Sequence, residues 1–489
     1  MKVGEVKTAA IIGAGVSGLA TAKCLTRVGI HCTVFDRNPY LGGVWADGYH
    51  DFGVQVQKDL YEFPDFPLSE EASHFTPGPV FREYLEDYCD HFGIRECLRL
   101  GTRVTMIERK GDRWSLEVDG SESSESIEAD LVVVAAGLYS ETPNVPNIPK
   151  REDFGGEVVH VSEIKDISQL KGRRVAVIGY GKSATDIAGS AVGVAEKVHL
   201  VFRTAHWPVP RKLLGVLPFK WGMLTRLVAA LIPPYVRPSP VVRAIHSIGY
   251  PLPWLFWRVV ELLLSTQQRL RTQIARGETL MPETPVEFDA FTEVTMVPRP
   301  GLIDFIRSGK ISAHRTGLSA FSSNGIDLAD GDSLEVDCVV FGTGWKTGYP
   351  YLPKSILTSL GDGPDGFYLY RHVLHPSVPN LAFVGRASSF MSVTTFALQA
   401  KWLAEVVAGR VLLPNAEAMQ SDIDALKSWK QSWMPEGPAR SATLLLHMCH
   451  YHDELLLDMS ADPLRKRGFL APISELIVPY RASDFRDVV

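Results

Sequence analysis

One pattern occurs twice in this chain: an apolar strand, a turn of small residues, and the start of a helix. The first copy is AAIIGAGVSGLATAKCL from Ala9, the second RVAVIGYGKSATDIA from Arg174. A strand that feeds a helix through so tight a turn opens a βαβ unit, whose next strand must lie parallel to the first. Two further apolar strands end in small-residue turns, VVVAAG at 132–137 and CVVFGTG at 338–344. Four such units predict an α/β fold with two Rossmann-like open sheets. A chain of 489 residues is also too long for one hydrophobic core, so two or three domains are expected from length alone.

The first turn reads Gly13-Ala14-Gly15-Val16-Ser17-Gly18, and the next strand closes on Asp36. Gly13 permits the tight turn, Gly15 lets a pyrophosphate approach the backbone, and Gly18 allows close packing of helix on sheet. The helix N-terminus attracts the anion. Asp36 would bond ribose hydroxyls and repel a 2′-phosphate, so the site suits FAD or NAD. The second turn is Gly179-Tyr180-Gly181-Lys182-Ser183-Ala184, and its next strand ends in Arg203. A guanidinium there is a bidentate reader of a 2′-phosphate, so this site suits NADPH, with Lys182 and Thr204 as helpers.

The Pro-, Asn- and Gly-rich stretch 142–156 reads as a linker out of the first unit, and a second boundary is expected near 330–337. Because DCVVFGTG mirrors the earlier DLVVVAAG, the chain is expected to return to the first unit there. The expected division is therefore an FAD-binding domain at 1–165 and 335–489, with an NADPH-binding domain at 166–334 inserted into it. Residues from Trp207 to about Leu270 are rich in Trp, Leu, Val and Pro and read as an apolar helical insertion. Arg226, Arg237, Arg243, Arg258 and several prolines interrupt every run long enough to span a bilayer, which leaves packing on the body or peripheral membrane contact.

A formal net charge of −6 without a basic block gives no footprint for nucleic acid. The six cysteines never form a C-x-x-C pair, so neither a disulfide framework nor a redox dithiol is indicated, and a reducing compartment, the cytoplasm, is expected. Met1 to Thr8 leaves no room for a secretory apolar segment. His447, Cys449, His450 and His452 invite a metal reading, but they cannot all face one point on a helix, so no metal site is expected.

Several motifs resemble those of the flavin-containing monooxygenases over nearly the whole chain. Leu41-Gly42-Gly43-Val44-Trp45 is similar to the family's segment beside the flavin. Lys58 with Phe63-Pro64-Asp65-Phe66-Pro67 is similar to its K-x-x-x-x-F-x-D-F-P stretch. Phe154-Gly155-Gly156 through His160 fits F-x-G-x-x-x-H at the junction of the two domains, with Ile164 where the family carries an aromatic residue. Phe341-Gly342-Thr343-Gly344-Trp345 and Leu398-Gln399-Ala400-Lys401-Trp402 resemble F-A-T-G-Y and L-Q-A-R-W.

The resemblance implies cofactor contacts for Gly43, Trp45 and Gln399 and for the second-turn residues Gly179, Gly181, Lys182 and Ser183. It implies catalytic roles for His160 and for Gln55, which stands where many members carry an asparagine near the reactive flavin oxygen. It further implies that NADPH reduces FAD, that O2 is trapped as a C4a-hydroperoxide, and that one oxygen atom passes to a substrate, which the apolar content of the 207–270 insertion suggests is lipophilic. N- or S-oxygenation is the leading expectation. Baeyer–Villiger oxidation of a ketone, and NADPH oxidase or flavin reductase activity without substrate oxygenation, are the alternatives. A pyridine-nucleotide disulfide reductase would need a dithiol that the sequence lacks.

Overall fold

The computed structural model describes residues 6–120, 124–138, 142–292, 298, 300–346, 348–438 and 440–489; Met1 to Glu5, the start of the segment read for a targeting signal, lie outside them. Two five-stranded sheets form its frame. In the first, the strands run in the order Leu381–Phe383, Leu131–Val134, Thr8–Ile12, His31–Phe35, Leu98–Arg99, all parallel. In the second the order is Ile311–Arg315, Lys197–Phe202, Arg174–Ile178, Cys338–Phe341, Glu157–His160, again all parallel. In both sheets the strand that enters the glycine turn is central and buried on both faces, so its sequence is continuously apolar rather than alternating.

This pairing corrects the expected boundaries. Cys338–Phe341 lies beside Arg174–Ile178 in the second sheet, and so does Glu157–His160. The likeness of DCVVFGTG to DLVVVAAG reflects the duplication: each strand flanks the glycine-turn strand of its own unit. The return to the first sheet is made later, by Leu381–Phe383 on Leu131–Val134. On the way Trp345–Lys346 pairs antiparallel with Thr142–Pro143, so the outgoing and returning chains run side by side. Each unit also carries a three-stranded antiparallel sheet, over 103–129 and 318–335, a second trace of the duplication.

The segment from Trp207 to Leu270 contains four helices, Phe219–Met223, Arg226–Ala229, Pro240–Ser247 and Pro251–Gln267. Helix Ser392–Val407 packs along Val16–Arg27 and closes one face of the first sheet. Behind it, the side chains of 447–452 go to separate partners: His447 Nε2 donates to the Pro233 carbonyl, and His452 Nε2 meets the Thr395 hydroxyl.

Burial pushes His199 and His450 down to about 4 and His452 to about 3. These imidazoles stay neutral in the folded protein while their unfolded counterparts accept a proton below about pH 6.5. Stability is therefore present above that value and is lost as pH falls from about 6.5 towards 4. Calorimetry across this window should record a progressively lower Tm; a Tm unchanged between pH 7 and 5 would contradict this account.

Candidate active site

A cleft of about 1070 Å³ opens between the two sheets, and both glycine turns line it. Helix Val16–Arg27 is N-capped by Gly15 and helix Lys182–Ala191 by Gly181, in each case without a side-chain capping bond. Their first N–H groups are thus left for a ligand anion, and the helix dipoles favour a phosphate there.

The turns work because side chains are absent. Gly13, at φ +111°, would place a Cβ 2.6 Å from the Ala135 carbonyl oxygen, and one on Gly18 would fall 1.8 Å from the Gly13 oxygen. In the second turn a Cβ on Gly179, at φ +129°, would meet the Gly342 oxygen at 2.4 Å. Here the third position is Ala184, and its methyl faces Gly342, where an added Cβ would come within 2.5 Å. The first unit has glycine at 18 and alanine at 135; the second has alanine at 184 and glycine at 342. The two units reach the same helix–strand packing by exchanging which side carries the methyl.

Charge differs between the two turns. Asp36 lines the cleft, its carboxylate accepting from Ala14 N at 2.8 Å and from Asn38 N at 2.9 Å, which fixes it beside the first turn. Arg203 and Thr204 are exposed on the cleft rim beyond the second. Lys182 lines the cleft too, but it is paired with Asp186 one helical turn on, and Asp186 also accepts from Tyr49 Oη at 2.8 Å. That triad joins the loop after Trp45 to the second unit, a contact that no motif in the sequence announces.

Gly43, Trp45, Gln55 and Ser183 also line the cleft. Trp45 is held by Phe81, with ring centroids 4.7 Å apart, and by Tyr61 at 5.5 Å. His160, Gln399 and Gly18 do not line it. The His160 imidazole is buried and fully engaged: Nε2 donates to the Gly344 carbonyl at 3.1 Å, Nδ1 bonds the Ser162 hydroxyl at 2.8 Å, and the ring meets Trp345 edge-on. Burial also lowers its pKa, so it stays neutral. His160, for which the resemblance implied a catalytic role, thus stands outside the cleft lining and bonded to the turn at 342–345.

Gln399 is buried below the cleft floor, where its Oε1 accepts from Gly385 N at 3.1 Å and its Nε2 donates to Tyr451 Oη at 2.8 Å. It holds Gly385, which does line the cleft. The remaining wall comes from Ser389, Phe390 and Phe396 and from Thr443 and Leu445, where Ser388–Ser389 pairs with Thr443–Leu445. Sequence reading missed this wall, because a two-residue strand pair leaves no periodic signal.

Replacing Gly342 with Ala should drive two methyls together at the second turn, lower stability by about 1–3 kcal/mol and weaken NADPH binding. Adding Ala184→Gly should recover part of that loss in the same denaturant titration. Arg203→Ala should raise KM for NADPH about 10- to 100-fold, the worth of a charge-assisted contact, and leave KM for NADH nearly unchanged. Equal effects on both nucleotides would remove Arg203 from the 2′-phosphate.

The description "Flavin-binding monooxygenase-like" belongs to the family model that matches residues 6–247 and 299–470. Flavin-containing monooxygenase 1 of Rattus norvegicus is 28% identical over 94% of this chain and 84% of its own. A 4-hydroxybenzoate brominase (decarboxylating) of Marinomonas mediterranea is 29% identical over 92% of this chain and 83% of its own. Among solved structures, an oxidized steroid monooxygenase bound to NADP superposes with a TM-score of 0.68 at 19% identity, covering 94% of this chain and 99% of that one. The S-allyl-L-cysteine S-oxygenase of Allium sativum gives 0.65 at 20% identity, covering 96% and 92%. At such identities the superpositions speak for the fold alone. With uncapped helix ends at two glycine turns, an acid beside one and an arginine beyond the other, the chain belongs to the flavin-binding monooxygenase-like family and is an NADPH-dependent flavoprotein monooxygenase that uses FAD.

Proposed function

We propose that the enzyme transfers one oxygen atom of O2 to a nitrogen or sulfur atom of a lipophilic substrate, with FAD at the Gly13 turn and NADPH at the Gly179 turn. FAD supplies the redox chemistry when bound, accepting a hydride from NADPH and activating O2. The chain's own residues bind, orient and exclude water.

The distribution of charge along the cleft carries this reading. Among the described lining residues, Arg37 and Arg203 stand where the chain leaves a sheet, Arg103 opens the strand Arg103–Lys110, Lys182 opens the helix after the second turn, and His206 follows Arg203 by three residues. The wall from 388–396 and 443–445 contributes aromatic, aliphatic and hydroxyl groups instead. A soft amine or sulfide brings its own electron pair and requires no protein acid, base or cation at the reacting atom. Attack on a ketone builds negative charge that a placed cation must balance, and this wall offers none.

Gln55, exposed to the cleft, offers a side-chain amide that would hold the reacting oxygen by a hydrogen bond. The six free thiols suit a reducing setting such as the cytoplasm.

The test is turnover of tertiary amines, thioethers and cyclic ketones with product mass spectrometry. N-oxides or sulfoxides are expected. Lactones from the ketones would replace the reading with Baeyer–Villiger oxidation, and hydrogen peroxide alone with every substrate would replace it with an oxidase. Gln55→Leu should cut product formation about tenfold, one hydrogen bond's worth, while NADPH oxidation continues and peroxide rises.

A further inference from the structure

A hydrogen-bonded chain of three side chains runs from the cleft wall at 388–396 into the interior. Ser389 Oγ lies 2.7 Å from Thr395 Oγ1, and Thr395 Oγ1 lies 2.7 Å from His452 Nε2. Ser389 lines the cleft, whereas Thr395 and His452 are buried behind it. Three elements are joined in this way: the short strand Ser388–Ser389, the helix Ser392–Val407 and the helix Met448–Asp458.

The chain has a direction. Burial pushes the His452 imidazole down to about 3, so the ring is neutral and carries one N–H. Among the described residues Nε2 has a partner and Nδ1 has none. The ring proton therefore sits on Nε2, where Thr395 Oγ1 accepts it, because on Nδ1 it would be buried without an acceptor. Thr395 in turn has one acceptor in reach, Ser389 Oγ, and donates to it. Ser389 Oγ also accepts from Met391 N at 3.2 Å. A hydroxyl accepts twice and donates once, so both acceptor positions of Ser389 are filled and its own proton is left over. The neighbouring Ser392 differs, since it spends its proton on the Ser389 carbonyl at 2.6 Å. Ser389 borders the cleft, and a ligand there must supply the missing acceptor.

The place of Ser389 along the cleft indicates which ligand that is. Gly385, four residues earlier, lies against the first nucleotide helix, where an added Cβ would come within 2.6 Å of Ser17 Oγ. Phe390, one residue later, meets Phe219 of the 207–270 insertion with ring centroids 5.9 Å apart. The backbone thus leads away from the first turn as it reaches Ser389, which shares its wall with Phe390, Phe396 and Leu445. One fixed donor among apolar side chains is how a pocket sets the orientation of a small molecule.

We propose that Ser389, its hydroxyl proton aimed by Thr395 and His452, donates a hydrogen bond to an acceptor oxygen of the substrate. The enzyme then selects amines or sulfides that carry a carbonyl or hydroxyl oxygen away from the oxidised atom. Thr395 and His452 are positioning residues. The substrate class rests on the N- or S-oxygenation proposed above, whereas the donor itself does not.

Two probes test this with the FAD-loaded enzyme: an alkyl methyl sulfide, and its analogue ending in a dimethylamide, which accepts hydrogen bonds but donates none. The amide-bearing probe is expected to have the lower KM. Ser389→Ala should shrink the ratio of the two KM values about five- to tenfold, one hydrogen bond's worth, and leave the ratio of kcat values nearly as it was. Thr395→Val and His452→Met should shrink it too, while His452→Gln, which keeps an N–H donor, should restore most of it. Dissociation constants of both probes from the oxidised enzyme, read from flavin absorbance, should follow the same ratio. If neither probe is oxygenated, the N- or S-oxygenation reading falls, and the dissociation constants still decide the role of Ser389. A ratio unchanged in Ser389→Ala, or binding of neither probe, would overturn the proposal. So would a displaced flavin spectrum in substrate-free Ser389→Ala, which would assign the proton to FAD.

Discussion

Two helices in this molecule begin where a backbone turn comes within van der Waals contact of a neighbouring strand, and everything about the site depends on that approach. The Gly13 and Gly179 turns each press on a carbonyl of the adjacent parallel strand, Ala135 in one unit and Gly342 in the other. This contact fixes where each helix starts, and hence where its uncapped N–H groups point. Both sets open on one cleft, so two repeats of one local geometry face a single shared space.

The parts of this arrangement that were legible in the sequence are those written in a contiguous pattern. The glycine turns, Asp36 at the end of one strand and Arg203 at the end of another follow from βαβ spacing, and all of them line the cleft apart from Ala14, Gly18 and Ala184, of which Gly18 sits against Gly13 and Ala184 against Gly342. The helical character of 207–270 was equally legible. The strand Cys338–Phe341 was misassigned because duplication makes strands of different sheets look alike, and sequence similarity carries no information about which copy a strand pairs with. His160 and Gln399 stand near the cleft in the chain and in space, yet their polar atoms are consumed by Gly344, Ser162, Gly385 and Tyr451. Such partnerships join residues far apart in sequence and leave no local signature.

The C-terminal third illustrates a different division of labour. The short pair Ser388–Ser389 with Thr443–Leu445 forms one wall, and behind it Lys430, buried, donates from Nζ to the carbonyls of Arg440, Ser441 and Thr443. A buried ammonium with three carbonyl acceptors costs less than one left unpaired, and it fixes a segment that has little secondary structure of its own. This wall of the cleft thus rests on side-chain hydrogen bonds, whereas the two glycine turns rest on backbone packing. Substitutions can therefore reshape the former without disturbing the latter.

The ribbon formed by Thr142–Pro143 and Trp345–Lys346 is where the chain crosses twice between the two units. It is braced by Asn144 Nδ2 donating to the Thr343 carbonyl at 3.2 Å and by Asn144 N donating to Gly344 O at 2.9 Å. A unit joined by one strand could swivel about a single bond, whereas one joined by two hydrogen-bonded strands bends across the ribbon far more readily than it twists. The ribbon is thus a flat plate let in between the units, and with Tyr49 Oη donating to Asp186 and Lys165 paired with Asp47 it acts as one of several dowels that keep the second glycine turn square to the first.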